Sequence, residues 1–184
     1  MKEGELLVQA RRWDRQALTE IYDLYSPKLY GYAVRLLGDP HTAEDCVADT
    51  FNRFLQALKA GKGPEVYLQA YLYRIAHNWI TDYYRRQPPP NLDLEDQPLI
   101  GPNFPEQDAS DQIEQAQVRA ALLRLTPEQR QVVMLKFVEG LNNEVVAATL
   151  NKPVGAIKSL QHRALAALRR ILDASEEEEN VPFR

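Results

Sequence analysis

Glu44, Asp45 and Asp49 fall within six residues of one another, a spacing on a helix that invites a divalent-cation or acid-base reading. Nothing completes such a site. Carboxylates near a helix start are favoured there by the amide dipole and ordinarily face solvent. His41, His77 and His162 are far apart and have no metal-ligand spacing; His77 reads as a hydrogen-bonding group on a helix surface rather than as a catalyst. There is no HExxH, no glycine-rich phosphate loop and no nucleophile-histidine-acid set. No catalytic, metal or cofactor site is expected. Cys46, the single cysteine, excludes a disulfide framework and is expected to be a buried or half-buried thiol.

The residues that suggest a partner are basic and aromatic. Tyr67, Tyr71, Tyr73, Trp79, Tyr83 and Tyr84 lie close to Arg74, Arg85 and Arg86, with Lys62 just upstream. Rings of this kind stack on or wedge beside unpaired bases while the cations draw in phosphates. The competing reading makes most of the rings core, Tyr71 and Trp79 first. A second basic group, Lys152, Lys158, Arg163, Arg169 and Arg170, comes later with Ser159 and His162 among its members.

Net charge hides this pattern. The chain of 184 residues carries 22 basic and 26 acidic side chains, a formal charge of -4. Residues 91–112 hold six acidic and no basic side chains, residues 173–184 hold five and one, and residues 113–172 hold four and nine. The acidity therefore belongs to a linker and a tail, and the block between them is positive enough to meet a polyanion. With 45% hydrophobic and 26% charged residues and no apolar run long enough to cross a bilayer, a soluble chain without membrane insertion is expected. The first residues, Met1 to Glu5, lack a secretory pattern, so a cytoplasmic location is the expectation.

The elements that must position these residues are helices. From Gln87 to Asp111 the chain holds six prolines and six acidic residues without apolar periodicity, which reads as a tether between two modules. In the first module Leu6, Leu7 and Ala10 fit a short helix. Leu18, Ile21, Tyr22, Tyr25, Leu29, Tyr32, Ala33, Leu36 and Leu37 recur at spacings of three and four, with Pro27 a candidate bend. After Gly38-Asp39-Pro40, with Asp39 or Thr42 as cap, comes a helix with Ala43, Cys46, Val47, Thr50, Phe51, Phe54, Leu55 and Leu58 on its apolar face. A fourth helix, past the Gly61–Pro64 loop, carries the aromatic cluster.

The second module opens near Gln112 with a lead-in helix carrying Ala116, Val118, Ala121, Leu122 and Leu125. Thr126-Pro127-Glu128-Gln129 is a helix start with threonine as cap and glutamine at N3, before a buried face of Val132, Val133, Met134, Leu135 and Phe137. Two helices then meet at Asn151-Lys152-Pro153, where Asn151 tolerates a left-handed backbone; Asn142 and Asn143 can cap the first. This is a helix-turn-helix arrangement. Its second helix would expose Ala156, Lys158, Ser159, His162 and Arg163 to a major groove while Val154, Ile157, Ala164, Leu165 and Leu168 hold it to the module.

These stretches resemble the bacterial sigma-70 family, and in particular its small two-domain extracytoplasmic-function (ECF) group. Ala17 to Leu37 with Gly38-Asp39-Pro40, followed by Ala43 to Phe51, is similar to the part of the family's first domain that docks on the polymerase clamp helices. Tyr71 to Asn78, continuing through Asp82 to Arg86, resembles the helix that opens and reads the -10 element. Leu125 to Val132 and Glu139-Gly140-Leu141 resemble the opening of the last domain, and Pro153 to Ser159 resembles the start of its -35 recognition helix. The match covers nearly the whole chain in the family's order. His77 stands where the family usually has arginine, Leu160 where it has a basic residue, Gln161 where it has an apolar one and Asn151 where it has glycine. Leu160 and Gln161 either exchange roles through a small helix rotation or Leu160 presents an apolar contact to a thymine methyl.

The resemblance implies an all-α fold of two small helical domains joined by a flexible Pro-rich acidic linker, the second with a helix-turn-helix. Residues 1–87 would bind core polymerase and the -10 element, 88–112 form the linker, 113–173 bind the -35 element and 174–184 form an acidic tail expected to be disordered. It implies -35 contacts by Lys152, Ala156, Lys158, Ser159, His162 and Arg163. It implies -10 reading and melting by Lys62, Arg74, His77, Asn78, Tyr84, Arg85 and Arg86, and polymerase binding by Glu44, Asp45, Asp49 and Arg53. The implied partners are core RNA polymerase, promoter DNA and, by family habit, an anti-sigma factor. The alternatives are a polymerase-independent helix-turn-helix regulator and a sigma-like interaction protein that no longer reads promoters.

Overall fold

The computed structural model describes residues 3–87 and 109–179. Helix α1 (Glu3–Arg11) buries Leu6, Leu7 and Ala10. Helix α2 (Arg15–Leu37) starts at Asp14, whose carboxylate accepts from the Ala17 amide at 2.8 Å, and runs unbroken through Pro27. It stops at Gly38, a left-handed cap with φ 72°, where any side chain would strain the backbone. The Arg119 guanidinium lies against this glycine, 2.5 Å from where a Cβ would be, and would have to swing aside for one. Helix α3 (Pro40–Lys59) takes Asp39 as its cap, with the Thr42 amide donating at 2.7 Å. Helix α4 is Leu68–Arg86. These four pack as a bundle, α2 against α3 and α4, around Ile21, Leu29, Tyr32, Leu36, Phe54, Leu72 and Ile80.

In the second module α5 (Ala109–Leu123) leads into α6 (Pro127–Val133), opened by a full capping box between Thr126 and Gln129. The winding then widens into a π-helical turn, Met134–Val138, before α7 (Asn143–Leu150) and α8 (Val154–Glu179). Met134 and Leu135 are buried, but the wider turn shifts the phase and leaves Phe137 half exposed, against the expectation that it joins the core. Val118, Val154 and Leu165 also stay on the surface.

Two boundaries differ from expectation. Helix α5 begins at Ala109, inside the stretch expected to be linker, because no proline follows Pro105 there and the helix is free to extend. Helix α8 continues through Glu179 where a disordered tail was expected; glutamate is a good helix former and the next proline is Pro182. The expected flexibility of 88–108 and the rest of the tail, 180–184, lie outside the described residues.

The sequence pattern suggests two modules without indicating any contact between them, yet they pack together. Helix α7 lies against α4 and α5 against α2, and the buried side chains of both modules form one contiguous cluster.

Candidate nucleic-acid and polymerase interface

The helix-turn-helix is set by local chemistry. Asn142 accepts from the Val145 amide at 2.8 Å and caps α7. Asn151 closes α7 at φ 53°, ψ 47°, the left-handed conformation that asparagine tolerates better than most residues. From this turn α8 departs with Ile157, Leu160 and Ala164 buried against the module, and with Ala156, Lys158, Ser159, His162 and Arg163 exposed on one face.

Leu160 is therefore core, and the thymine-methyl alternative is ruled out by its burial. Gln161 has taken the more polar position: its amide donates to the Asn143 side chain at 2.9 Å and ties α8 to α7. Leu160 thus packs inward, while Gln161 is half-buried and bonded within the module. Lys152 is half-buried, with its ammonium 3.1 Å from Glu128, so a phosphate must compete with that carboxylate for it.

On α4 the expected nucleic-acid residues divide. Arg74, Asn78, Arg85 and Arg86 are exposed, as is Lys62 in the preceding loop. Arg74 lies over the Tyr71 ring at 5.7 Å, and Arg85 pairs with Asp82 at 2.8 Å. Tyr71 and Trp79 are half-buried against the core, in line with the structural reading of those rings. Trp79 stacks on Tyr83 with centroids 5.7 Å apart and planes 8° from parallel. With Arg53, Asp82, Arg86 and Gln87 these rings line a cleft of about 150 Å³ between α3 and α4.

His77 and Tyr84 are not on that surface. His77 is 4% exposed, which corrects its reading as a helix-surface group. Its Nδ1 lies 2.8 Å from the Tyr32 hydroxyl, and the ring meets the Pro127 carbonyl from the second module. Burial, reinforced by the Arg130 charge, pulls the imidazole down to about 3. The neutral ring donates to Pro127 and accepts from Tyr32. Tyr84 donates to the Leu36 carbonyl at 2.5 Å and lies under the Arg130 guanidinium, 5.8 Å from the ring centroid.

The residues that cover this face escaped sequence reasoning. Glu139 accepts from the Tyr73 hydroxyl at 2.6 Å and from Arg35 at 3.3 Å, joining α4 and α2 to the end of the π turn. Burial first, then the Glu139 hydrogen bond, raises the Tyr73 phenol well above its ordinary value. Arg130 is buried and donates to the Leu125 carbonyl. Only the odd burial of Tyr73 and His77 on the polar side of α4 signals such a partner, and that burial is visible only in three dimensions.

On α3, Glu44 and Asp45 are exposed and Arg53 donates to Asp49 at 2.6 Å, one helical turn away. No group of three His, Cys, Asp or Glu residues suited to a metal occurs among the described residues. Cys46 is buried, and burial pushes its thiol up to about 12.

Residues 21–88, spanning nearly all of α2 through α4, match the family model for Sigma-70 region 2, and residues 115–168 match that for Sigma-70, region 4. ECF RNA polymerase sigma factor SigW of Bacillus subtilis is 31% identical over 176 residues, covering 89% of this chain and 93% of SigW. The chain belongs to the ECF sigma-70 family.

The sigma factor is also 32% identical to ECF RNA polymerase sigma factor BldN of Streptomyces coelicolor over 91% of its own length, but it spans only 65% of BldN. Among solved structures it is similar to CnrH in complex with the cytosolic domain of CnrY, at 28% identity and a TM-score of 0.70, covering 94% of this chain and 97% of CnrH. The sigma factor RpoE of Bartonella quintana, solved with the anti-sigma factor NepR, shares the fold at 24% identity and a TM-score of 0.59 over 84% of this chain. Sigma factors direct RNA polymerase to promoters and are not enzymes. No described helix is long and apolar enough to cross a membrane.

Proposed function

We propose that this sigma factor binds core RNA polymerase through the α3 face bearing Glu44, Asp45, Asp49 and Arg53, and reads the two promoter elements with its two modules. Residues 1–87 take the polymerase and the -10 element, and residues 113–173 take the -35 element. The observation that carries this reading is the single exposed face of α8, where Ala156, Lys158, Ser159, His162 and Arg163 stand clear of the module behind a rigid turn. A helix presented in this way enters the major groove, with cations at its edges neutralising phosphates and small or polar side chains meeting base edges.

Lys62, Arg74, Asn78, Arg85 and Arg86 supply the corresponding surface for the melted -10 strand, beside the Trp79–Tyr83 stack. The sigma factor makes and breaks no covalent bond in this scheme. Binding energy from the polymerase localises it, phosphate contacts set its register and base contacts select the site. An anti-sigma factor is its proposed regulator, supported by the likeness to CnrH, a chain solved with a protein partner.

The test is the dissociation constant of labelled protein for bacterial core polymerase near 0.15 M salt, with holoenzyme already carrying another sigma factor as control. Tight binding to core that is lost on holoenzyme is expected. Absence of binding to an active core preparation, with tight binding of the isolated chain to an operator, would instead identify a polymerase-independent regulator.

A further inference from the structure

Two residues of the first module break the rules that shape the rest of it. Trp13 (φ 60°) and Tyr67 (φ 55°) hold left-handed backbones, where a bulky side chain is rarely found. Trp13 lies in the turn that closes α1. Its amide donates to the Ala10 carbonyl at 2.9 Å and the Asp14 amide reaches back to Gln9 at 3.1 Å, so it holds the position that glycine ordinarily fills after a helix. Tyr67 starts α4, where serine, threonine, aspartate or asparagine ordinarily caps, and its side chain makes no capping bond.

Core packing does not account for either ring. Trp13 is 49% exposed, Tyr67 50%, and Val66 beside it 66%. Bulky residues held in a strained backbone without burial are characteristic of sites that meet a ligand.

The two turns are neighbours. Arg11, close before Trp13, pairs with Glu65, close before Tyr67, at 3.6 Å. Glu3 at the other end of α1 accepts from the Gln69 amide at 3.5 Å, so α1 lies along the start of α4. The charge around the rings is positive: Asp14 is engaged as the α2 cap and Glu65 by Arg11, whereas Arg12, Arg15 and Lys62 are exposed. Exposed rings among cations suit an unpaired nucleic-acid strand, whose bases stack on the rings while its phosphates lie against the charges. A duplex offers such rings no free base face. A protein seated on them would have to bury three cations, at a desolvation cost that only matched carboxylates offset.

We propose that Trp13 and Tyr67, with Arg12, Arg15 and Lys62, form a stacking platform for unpaired promoter DNA. Every other residue assigned to DNA lies at Lys62 or beyond, and the platform adds the turn between α1 and α2. It rests on the proposed function, because the polymerase delivers the melted strand to it.

The experiment measures the affinity of reconstituted holoenzyme for a fork oligonucleotide cut from a promoter that it transcribes, duplex through the -35 element and single-stranded in the non-template strand from the -10 element onward. Trp13→Gly and Tyr67→Asn both suit a left-handed backbone, and the second also supplies a cap, so neither should lower the melting temperature or the affinity for core polymerase. Each should weaken fork binding about five- to a hundredfold. Arg12→Ala and Arg15→Ala should each lower the salt slope of that binding by about 0.7. Unchanged fork affinity in Trp13→Gly and Tyr67→Asn overturns the platform, and a loss of core affinity overturns it by assigning the surface to polymerase instead. If no form binds core polymerase the proposed function fails, and the free chain decides the platform: with Trp79→Phe, Trp13 is the one tryptophan left. Its fluorescence should be quenched by a single-stranded oligothymidylate, and an unquenched Trp13 overturns the platform.

Discussion

The Tyr32 hydroxyl and His77 Nδ1, 45 residues apart in sequence, lie 2.8 Å apart in the buried seam where the two modules meet. Burial, then the Arg130 charge, keeps the imidazole of this pair neutral, although the hydroxyl oxygen could accept from either protonation state. The folded pKa, about 3, lies below the ordinary 6.5, so opening or unfolding takes up a proton. Stability associated with His77 is therefore complete above pH 6.5 and is lost progressively as pH falls from there toward 3, by up to about 1.4 kcal/mol per pH unit. Melting temperatures measured between pH 8 and 5 should fall below pH 6.5, and His77→Gln should flatten that slope.

Lys158 and Arg163 stand on the exposed face of α8. Replacing either with alanine should leave the melting temperature within a degree or two and reduce -35-dependent transcription. If Lys158 neutralises a phosphate, its replacement should lower the salt slope of holoenzyme binding by about one; if Arg163 reads a base edge, its replacement should cost about 1–3 kcal/mol and relax preference at one base pair. Footprinting on a promoter series with single-base changes separates the two.

Leu160→Ala should destabilise the chain by about 2–5 kcal/mol in denaturant titration, because the side chain fills the α8 interface with the module. Leu160→Lys, which places a cation where the family usually has one, should be worse rather than better.

Asn151→Ala should cost about 1–2 kcal/mol, since alanine meets the left-handed penalty that asparagine softens. Asn151→Gly should be neutral or stabilising in the same assay.

Asp49→Ala and Arg53→Ala each remove one partner of a surface pair on α3. Exposed pairs of this type contribute roughly 0–1 kcal/mol, so folding should be nearly unchanged. Core-polymerase affinity should nevertheless drop, measured by fluorescence anisotropy of the labelled chain.

Local signals carry most of the fold. Thr126 with Gln129, Asp39 before Pro40 and Asn151 in its turn all act through neighbours within a few residues, and each appears in the structure as its residue types dictate. Much of the exposed face of α8 is legible from periodicity, with Ala156, Lys158, Ser159, His162 and Arg163 outward, but Val154 and Leu165, read as inward, lie on the surface as well. His77 and Tyr84 are not legible, because their burial is imposed by Arg130 and Pro127, which lie across the linker and leave no mark at short range. Phe137 escapes the core because the apolar pattern assumes 3.6 residues per turn, and the chain departs from that period just there.

The wide turn at Met134–Val138 has a consequence for how such a chain diversifies. Its last bond joins the Glu139 amide to the Met134 carbonyl, five residues back, so the turn takes in one residue more than an α-helical turn does. Deleting one residue there would rewind the turn as α-helix and leave Glu139 pointing much as it does, because a closure over four residues spans nearly the same angle as this closure over five. The turn can therefore gain or lose one codon while the elements on either side of it keep their places.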